Sequence, residues 1–74
     1  MDKLIKILNE INDEVDYTTE KELITGGILT SLDLLAIISA IEDEYKVEIS
    51  AMDIIPDNFE SIEDIWKLIL SKRG

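Results

Sequence analysis

Residues 30–35 read TSLDLL, and at this stretch a glycine-bearing loop leads into the most apolar helical run of the chain. Thr30 and Asp33 have the spacing of a capping box. In that motif the threonine hydroxyl accepts the N–H of the aspartate, and the carboxylate accepts the N–H of the threonine. Capping is common at such positions because the first four N–H groups of a helix lack partners inside it. The stretch therefore predicts a helix start, with the hydroxyl of Ser31 exposed at the junction.

The run after this junction predicts a helix from Ser31 to about residue 45. Apolar residues three and four positions apart form one stripe that should face a core. That stripe consists of Leu34, Ile37, Ile38, Ile41 and Tyr45. Leu32 and Leu35 fall outside it, and if exposed they form a small apolar patch beside Ser31. Isolated exposed leucines are common and need no function, whereas leucines beside a modifiable serine favour a partner-binding surface.

Two further stretches predict helices towards the ends of the chain. Residues 2 to about 14 form an amphipathic pattern. Its stripe is Leu4, Ile7, Leu8, Ile11 and Val15. Ser61 and Asp64 have capping-box spacing and predict the start of the last helix, with Lys72 and Arg73 at its end to complement the helix dipole. Its stripe is Ile62, Ile65, Trp66 and Ile69.

The connection before residue 30 should contain a short turn and buried anchors. Thr19 and Glu22 could cap a single helical turn ending near residue 24. The glycine pair at 26–27 permits backbone conformations with positive φ that would aim Ser31 outward, although a plain turn explains it equally well. A connection this long needs buried residues of its own. The candidates are Leu23, Ile28 and Leu29.

The connection after residue 45 predicts a short third helix. Ser50 and Asp53 form another capping box, from which the helix would run through Met52 to about residue 55, where Pro56 should stop it. Val47 and Ile49 alternate with charged neighbours and should point inward. Phe59 should be part of the core, because it is the single phenylalanine of a chain poor in aromatic residues.

Composition bounds the fold and excludes several kinds of chemistry. A chain of 74 residues predicts one domain with a modest core. Apolar residues make up 46% of the chain, and Ile and Leu predominate among them, whereas aromatic residues make up only 5%. This composition favours interlocking helices and an all-α fold. The chain has no Cys and no His, so the usual nucleophile–base pairs and the commonest metal ligands are missing. Residues 57–64 lack the spacing of a calcium loop, and we expect neither a metal site nor enzyme activity.

Charge limits the possible partners. The net charge is −10, and ten acidic residues stand against Lys46 alone between residues 31 and 64. Such a surface repels nucleic acid and anionic lipid and favours basic surfaces on other proteins, although an acidic surface often serves solubility alone. The chain starts without a basic segment followed by a long apolar run, and no stretch is long enough to span a membrane. We therefore expect a cytoplasmic protein with neither nucleic acid nor membrane as a partner.

The sequence resembles an acyl carrier protein over nearly the whole chain. The resemblance rests on GGILTSLDLL at residues 26–35, IEDEY at 41–45 and VEI at 47–49. In that family the serine of an Asp-Ser-Leu motif carries a 4′-phosphopantetheine arm, and the resemblance assigns that role to Ser31. Two positions depart from the family pattern. Thr30 stands where Asp is usual, and Ala36 stands where many members have an acidic residue used in docking.

The resemblance implies a small bundle of three main helices plus one short helix that works by docking. A phosphopantetheinyl transferase would load Ser31 from coenzyme A, and the arm would carry an acyl group as a thioester to partner enzymes with basic docking surfaces. The implied docking residues are Leu32, Asp33, Leu35, Glu42, Asp43 and Met52. The short helix, with Met52 and Ile54, would form the mobile wall of a cavity that shelters the acyl chain. We expect a monomer.

We expect general acyl carriage, with two alternatives. The acidic character favours acyl carriage in fatty-acid, polyketide or related biosynthesis. Residues 26–29 and 54–59 are similar to those of stand-alone carriers loaded by amino-acid-activating enzymes, including the D-alanyl carrier group, so aminoacyl carriage is the close alternative. A rival of a different class is an unmodified acidic helical interaction module, in which Ser31 is only a cap.

Overall fold

A computed structural model describes residues 2–73, so Met1 and Gly74, the two ends of the predicted domain 1–74, lie outside the described residues. Three α-helices form the frame: α1 spans Asp2–Ile11, α2 spans Ser31–Tyr45 and α3 spans Ile62–Arg73. Two 3-10 turns, η1 at Ala51–Asp53 and η2 at Pro56–Asn58, lie between α2 and α3. Residues 2–73 contain no β-strand, and the prediction of a small all-α bundle is confirmed.

The helices enclose one apolar cluster, to which the predicted stripes and the connections between helices both contribute; Ile7 of the predicted α1 stripe is half-buried and is not a member. Its members are Leu4, Leu8, Tyr17, Leu23, Leu29, Ile37, Ile38, Ile41, Val47, Ile49, Phe59, Ile62, Ile65, Leu68 and Ile69. Leu34, Tyr45 and Trp66 are half-buried and pack against it. The rings of Tyr45 and Trp66 meet edge to face with centroids 5.8 Å apart, a favourable aromatic geometry that gives Trp66 a packing role.

α1 ends at Ile11, earlier than its apolar pattern predicts. The hydroxyl of Tyr17 donates to the carbonyl oxygens of Leu8 and Asn12 at 3.2 and 2.8 Å, so two carbonyls at the helix end already have a partner. Burial raises the pKa of Tyr17, with the nearby charge of Asp33 acting in the same direction, and the phenol stays a neutral donor. Val15 therefore lies in the loop, where it packs against the core from outside the helix.

The connection between α1 and α2 turns without the predicted single helical turn at Thr19. Asp16 organises the turn instead, because its carboxylate accepts both the N–H and the hydroxyl of Thr18. The carbonyl oxygen of Asp16 also accepts the N–H of Thr19, and the carboxylate of Glu20 accepts the N–H groups of the next two residues. The prediction was wrong because side chains two residues back satisfy these backbone groups first.

The connection between α2 and α3 begins as predicted and then differs. Lys46 ends α2 in the left-handed conformation at φ 56°, and Val47 and Ile49 are both buried. The predicted short helix is a 3-10 turn that ends at Asp53. Pro56 opens the second turn where it was expected to stop the first, because proline lacks an N–H and suits the first position of a helical turn.

Polar contacts hold these two turns. The carboxylate of Asp53 accepts the N–H of Ser50, as the predicted capping pair requires, but the hydroxyl of Ser50 donates to that carboxylate and the carbonyl oxygen of Ser50 accepts the N–H of Asp53. The carboxylate also accepts Nζ of Lys72 at 2.6 Å. The side-chain amide of Asn58 donates to the carbonyl oxygen of Asp53 at 2.8 Å. None of the residues in η1 or η2 is buried.

Among residues 2–73, no helix is both long and apolar enough to cross a bilayer.

Candidate functional site

The start of α2 forms the predicted capping box. Thr30 has extended backbone angles, and its hydroxyl accepts the N–H of Asp33 at 3.1 Å. The carboxylate of Asp33 accepts the N–H of Thr30 at 3.1 Å in return. Ser31 is the first residue of the helix and its side chain is exposed. Thr30 therefore supplies the capping oxygen, and the role of cap that the interaction-module alternative gives to Ser31 belongs to its neighbour.

The two glycines before this junction serve different purposes. Gly27 has φ 71°, the left-handed region that glycine adopts at no steric cost. At Gly26 a Cβ would lie 2.5 Å from the carbonyl oxygen of Glu22, closer than any real side chain allows. The N–H of Gly26 donates to that same oxygen at 2.8 Å. The glycine pair thus permits a tight turn that leads the chain to Thr30.

A glutamate from the start of α3 braces the same loop. Oε1 of Glu60 accepts the N–H groups of Ile24 and Thr25 at 2.9 and 3.0 Å, and its carbonyl oxygen accepts the N–H of Leu23 at 2.9 Å. These bonds lower the pKa of Glu60, that from Thr25 most. The sequence analysis missed this contact, because its partners are 35 and 36 residues away and no local spacing connects them.

Four of the five predicted docking residues of α2 share one face of the helix. At about 100° per residue, Leu32, Leu35, Glu42 and Asp43 fall within an arc of about 100°, opposite the buried stripe. Leu32 is 78% exposed and Leu35 is 60% exposed, as the pattern predicted. Both leucines lie within the first turns of the helix, next to Ser31. The apolar patch beside the serine is therefore present on the surface.

The acidic residues of this set differ in what they already bind. Asp43 is exposed, whereas Glu42 is half-buried and its carboxylate accepts the N–H of Ile49 at 2.9 Å. Asp33 is half-buried and lies outside this arc by about 80°, where it takes part in the capping box. Glu42 and Asp33 thus have structural roles of their own, and Asp43 is the acid whose side chain projects from this face.

Met52 comes from a different element and is more exposed than Leu32 or Leu35. It lies in η1 and is 88% exposed, and Ile54 is exposed as well. The resemblance placed both side chains near the wall of an acyl-sheltering cavity. In the structure they present apolar surface to solvent, which is what a surface for another protein requires.

The arrangement can support attachment chemistry at one hydroxyl. Ser31 lies at the positive end of the α2 dipole, where the first N–H groups of a helix favour a nearby negative charge. Among residues 2–73, no group of three or more acidic side chains is placed to hold a metal ion. A helical bundle that presents an exposed serine at a helix start, beside apolar and acidic surface, has the form of a carrier-type domain.

Comparison with known proteins agrees with this class. The chain is 31% identical over 71 residues to aminoacyl carrier protein 1 of Bradyrhizobium diazoefficiens, and the match covers 95% of this chain and 78% of the relative. No family profile matches the chain, and no solved structure matches it. The length and identity of the first match are sufficient to place the chain: it belongs to the carrier protein family.

Proposed function

We propose that Ser31 carries a 4′-phosphopantetheine arm, and that the chain holds its cargo as a thioester on that arm without catalysing a reaction itself. The observation that carries the proposal is the exposed position of Ser31 at the first turn of α2, with the capping role taken by Thr30. Membership of the carrier family supports it.

The residues at the helix start fit such a group. Thr30 and Asp33 bond to each other through both backbone and side chain, so the position of Ser31 between them is fixed. A phosphodiester on this hydroxyl gains about 0.3 to 1 kcal/mol from the helix N-terminus when exposed. Thr30 in place of the usual Asp removes one negative charge beside that phosphodiester. When bound, the group supplies the thiol that a chain without cysteine lacks.

For the cargo we propose an aminoacyl group. The support is the curated relative, which is named as an aminoacyl carrier protein, together with residues 54–59, whose sequence is similar to that of stand-alone aminoacyl carriers. Acyl carriage in fatty-acid, polyketide or related biosynthesis is the second candidate, favoured by the strongly acidic surface.

Partners would dock on the exposed face of α2. Leu32 and Leu35 supply apolar anchoring, and Met52 adds apolar surface from η1. Asp43, with Glu42 beside it, steers basic surfaces and sets orientation. The proposed partners are a phosphopantetheinyl transferase, an adenylating ligase that loads the cargo, and the enzymes that receive it. Residues 1–74 would work as one monomeric domain in the cytoplasm, with no role in binding nucleic acid or membranes.

The test is intact-protein mass spectrometry after incubation with coenzyme A, Mg²⁺ and a phosphopantetheinyl transferase. We expect the wild-type chain to gain one phosphopantetheine and Ser31→Ala to gain none, with the helical circular dichroism of both unchanged. Ser39→Ala is the matched control, because Ser39 is an exposed serine on the same helix, and it should be modified like the wild type. Absence of any gain on the wild type with a transferase from the same source would favour the interaction module.

A second experiment decides the cargo. The modified protein is incubated with ATP, candidate amino acids or fatty acids, and adenylating ligases of each class, and thioester formation is measured by mass. Loading by an amino acid ligase, reversed by hydroxylamine, supports aminoacyl carriage. Loading by the fatty-acid ligase alone would overturn that assignment and favour general acyl carriage.

A further inference from the structure

The loop before Ser31 is attached to the start of α3 through Glu60. Three consecutive backbone N–H groups, those of Leu23, Ile24 and Thr25, donate to oxygen atoms of this one residue. Glu60 stands directly before Ser61, whose hydroxyl accepts the N–H of Asp64 and caps α3. The backbone that carries the carboxylate is therefore fixed by the helix that it precedes.

Hydrogen bonds extend from this attachment towards the serine. The N–H of Leu29 donates to the carbonyl oxygen of Leu23 at 2.9 Å, so the two ends of the 23–29 loop are joined. Leu23 and Leu29 are both buried beneath it. Leu29 directly precedes Thr30, which caps α2 and is bonded to Ser31 along the chain. A short path of hydrogen bonds and chain neighbours thus connects the carbonyl oxygen of Glu60 to Ser31, and the carboxylate of Glu60 holds Ile24 and Thr25 of the same loop.

The carboxylate suits this task better than a neutral group. Adjacent N–H groups of a turn form a small concave site with a positive partial charge, and a carboxylate that accepts them forms bonds roughly twice as strong as a neutral acceptor does. Glu63 offers a contrast at the same end of α3. Its carboxylate pairs with Nζ of Lys21 at 2.6 Å, so it joins the same two regions through two exposed side chains.

We infer that Glu60 is a positioning residue for Ser31. It holds the 23–29 loop in the conformation that presents the serine hydroxyl to the transferase and to later partner enzymes. Glu60 touches neither the reacting hydroxyl nor the docking face of α2, and it acts through the loop. The inference rests on the proposed role of Ser31 as the attachment site.

The experiment measures kcat and KM for modification by the transferase in four proteins: the wild type, Glu60→Ala, Glu60→Gln and Glu63→Gln. Because small misplacements of a reacting group can cost large factors in rate, we expect Glu60→Ala to lower kcat about tenfold. Its KM should change less than about twofold, since the docking face is intact and carries the binding contacts. Glu60→Gln keeps an acceptor oxygen and should recover part of the rate, and Glu63→Gln should match the wild type.

Amide chemical shifts and hydrogen exchange give a second reading that does not depend on modification. In Glu60→Ala, and more weakly in Glu60→Gln, the N–H groups of Ile24 and Thr25 should exchange faster while those in the middle of α2 stay protected. If Glu60→Ala fails to fold, Glu60→Gln alone carries the comparison with Glu63→Gln.

The outcomes separate this inference from the proposed function. A wild-type chain that takes no phosphopantetheine removes the proposed function, and the inference falls with it. A modified wild type with an equally fast, folded Glu60→Ala overturns the inference alone. Equal losses in Glu60→Ala and Glu63→Gln, in proportion to their loss of stability, would also overturn it, because the role would then be structural.

Discussion

The connection before α2 and the two 3-10 turns after it are held in different ways. The segment 12–30, which leads to Ser31, buries Tyr17, Leu23 and Leu29 in the core and adds the brace from Glu60. The turns η1 and η2, which follow α2, bury none of their residues and are held by a network centred on Asp53. The first segment is fixed by apolar burial. The two turns depend on polar and charged contacts, and the buried anchors of their connection lie on either side of them, at Val47, Ile49 and Phe59.

This difference suits the two tasks that we propose for a carrier. The hydroxyl that receives the arm needs one defined position, and buried side chains provide it because a packed core tolerates little displacement. The η1 segment carries the exposed Met52, which we propose as part of the docking surface. Contacts that water and salt can weaken leave such a segment more easily displaced. Both segments flank α2, so a connection fixed by buried side chains precedes this helix and a more easily displaced one follows it.

Leu23→Ala should show the largest effect, because it removes a fully buried anchor of the first segment. We expect the free energy of unfolding to fall by about 2 to 5 kcal/mol, measured by urea denaturation. Met52→Ala is the matched change in the second segment, and at 88% exposure it should alter stability by less than about 0.5 kcal/mol. Equal losses in the two variants would show that both segments contribute alike to the core.

Glu42→Lys and Asp43→Lys test the end of α2, just before the second segment, and distinguish a structural acid from an exposed one. Glu42→Lys removes the acceptor for the N–H of Ile49 and should cost about 1 kcal/mol of stability. Asp43→Lys should leave stability unchanged, because Asp43 is exposed and belongs to the docking face. Both variants should slow transfer to a cognate enzyme, measured by single-turnover kinetics at low salt. Unchanged transfer in Asp43→Lys would count against this face as the docking surface.

Asp53→Asn tests the polar network with a smaller effect. The contact with Lys72 lowers the pKa of Asp53 most, followed by the bonds from Ser50. The carboxyl group of Asp53 therefore binds a proton less tightly in the native state than in the unfolded chain. The resulting stability is present above the ordinary aspartate pKa of 3.8 and is lost as pH falls through the lowered native value. The midpoint temperature of thermal unfolding should therefore fall more steeply with decreasing pH in the wild type than in Asp53→Asn.

The pKa values of Asp16, Glu60 and Glu63 are lowered too, so part of the acid dependence should persist in Asp53→Asn. Hydrogen exchange at neutral pH distinguishes the contributions. In Asp53→Asn the amides of residues 53–58 should exchange faster, and those of the 23–29 loop should not. An identical pH dependence in the two proteins would mean that the network contributes nothing to folding.

Local patterns predicted the elements that a few neighbouring residues decide. The bounds of α2, its capping box and the exposure of Leu32 and Leu35 follow from the 3.6-residue period and from spacings of three residues. Composition placed Phe59 in the core, because it is the single phenylalanine of a chain poor in aromatic residues. Local patterns failed at Thr19 and Pro56, where another side chain or the backbone of proline made a different turn more favourable.

Sequence alone therefore determined the all-α class, the start of α2 and the serine placed there, because these depend on the order of apolar and capping residues within one or two helical turns. The tertiary structure decided which acidic side chains project into solvent and which accept a hydrogen bond or pair with a lysine. Glu60 braces a loop 35 residues away, Asp53 meets Lys72, and Glu42 turns to Ile49. An acidic residue looks the same in every exposed pattern, and its partner is set by the packing of the helices around the core.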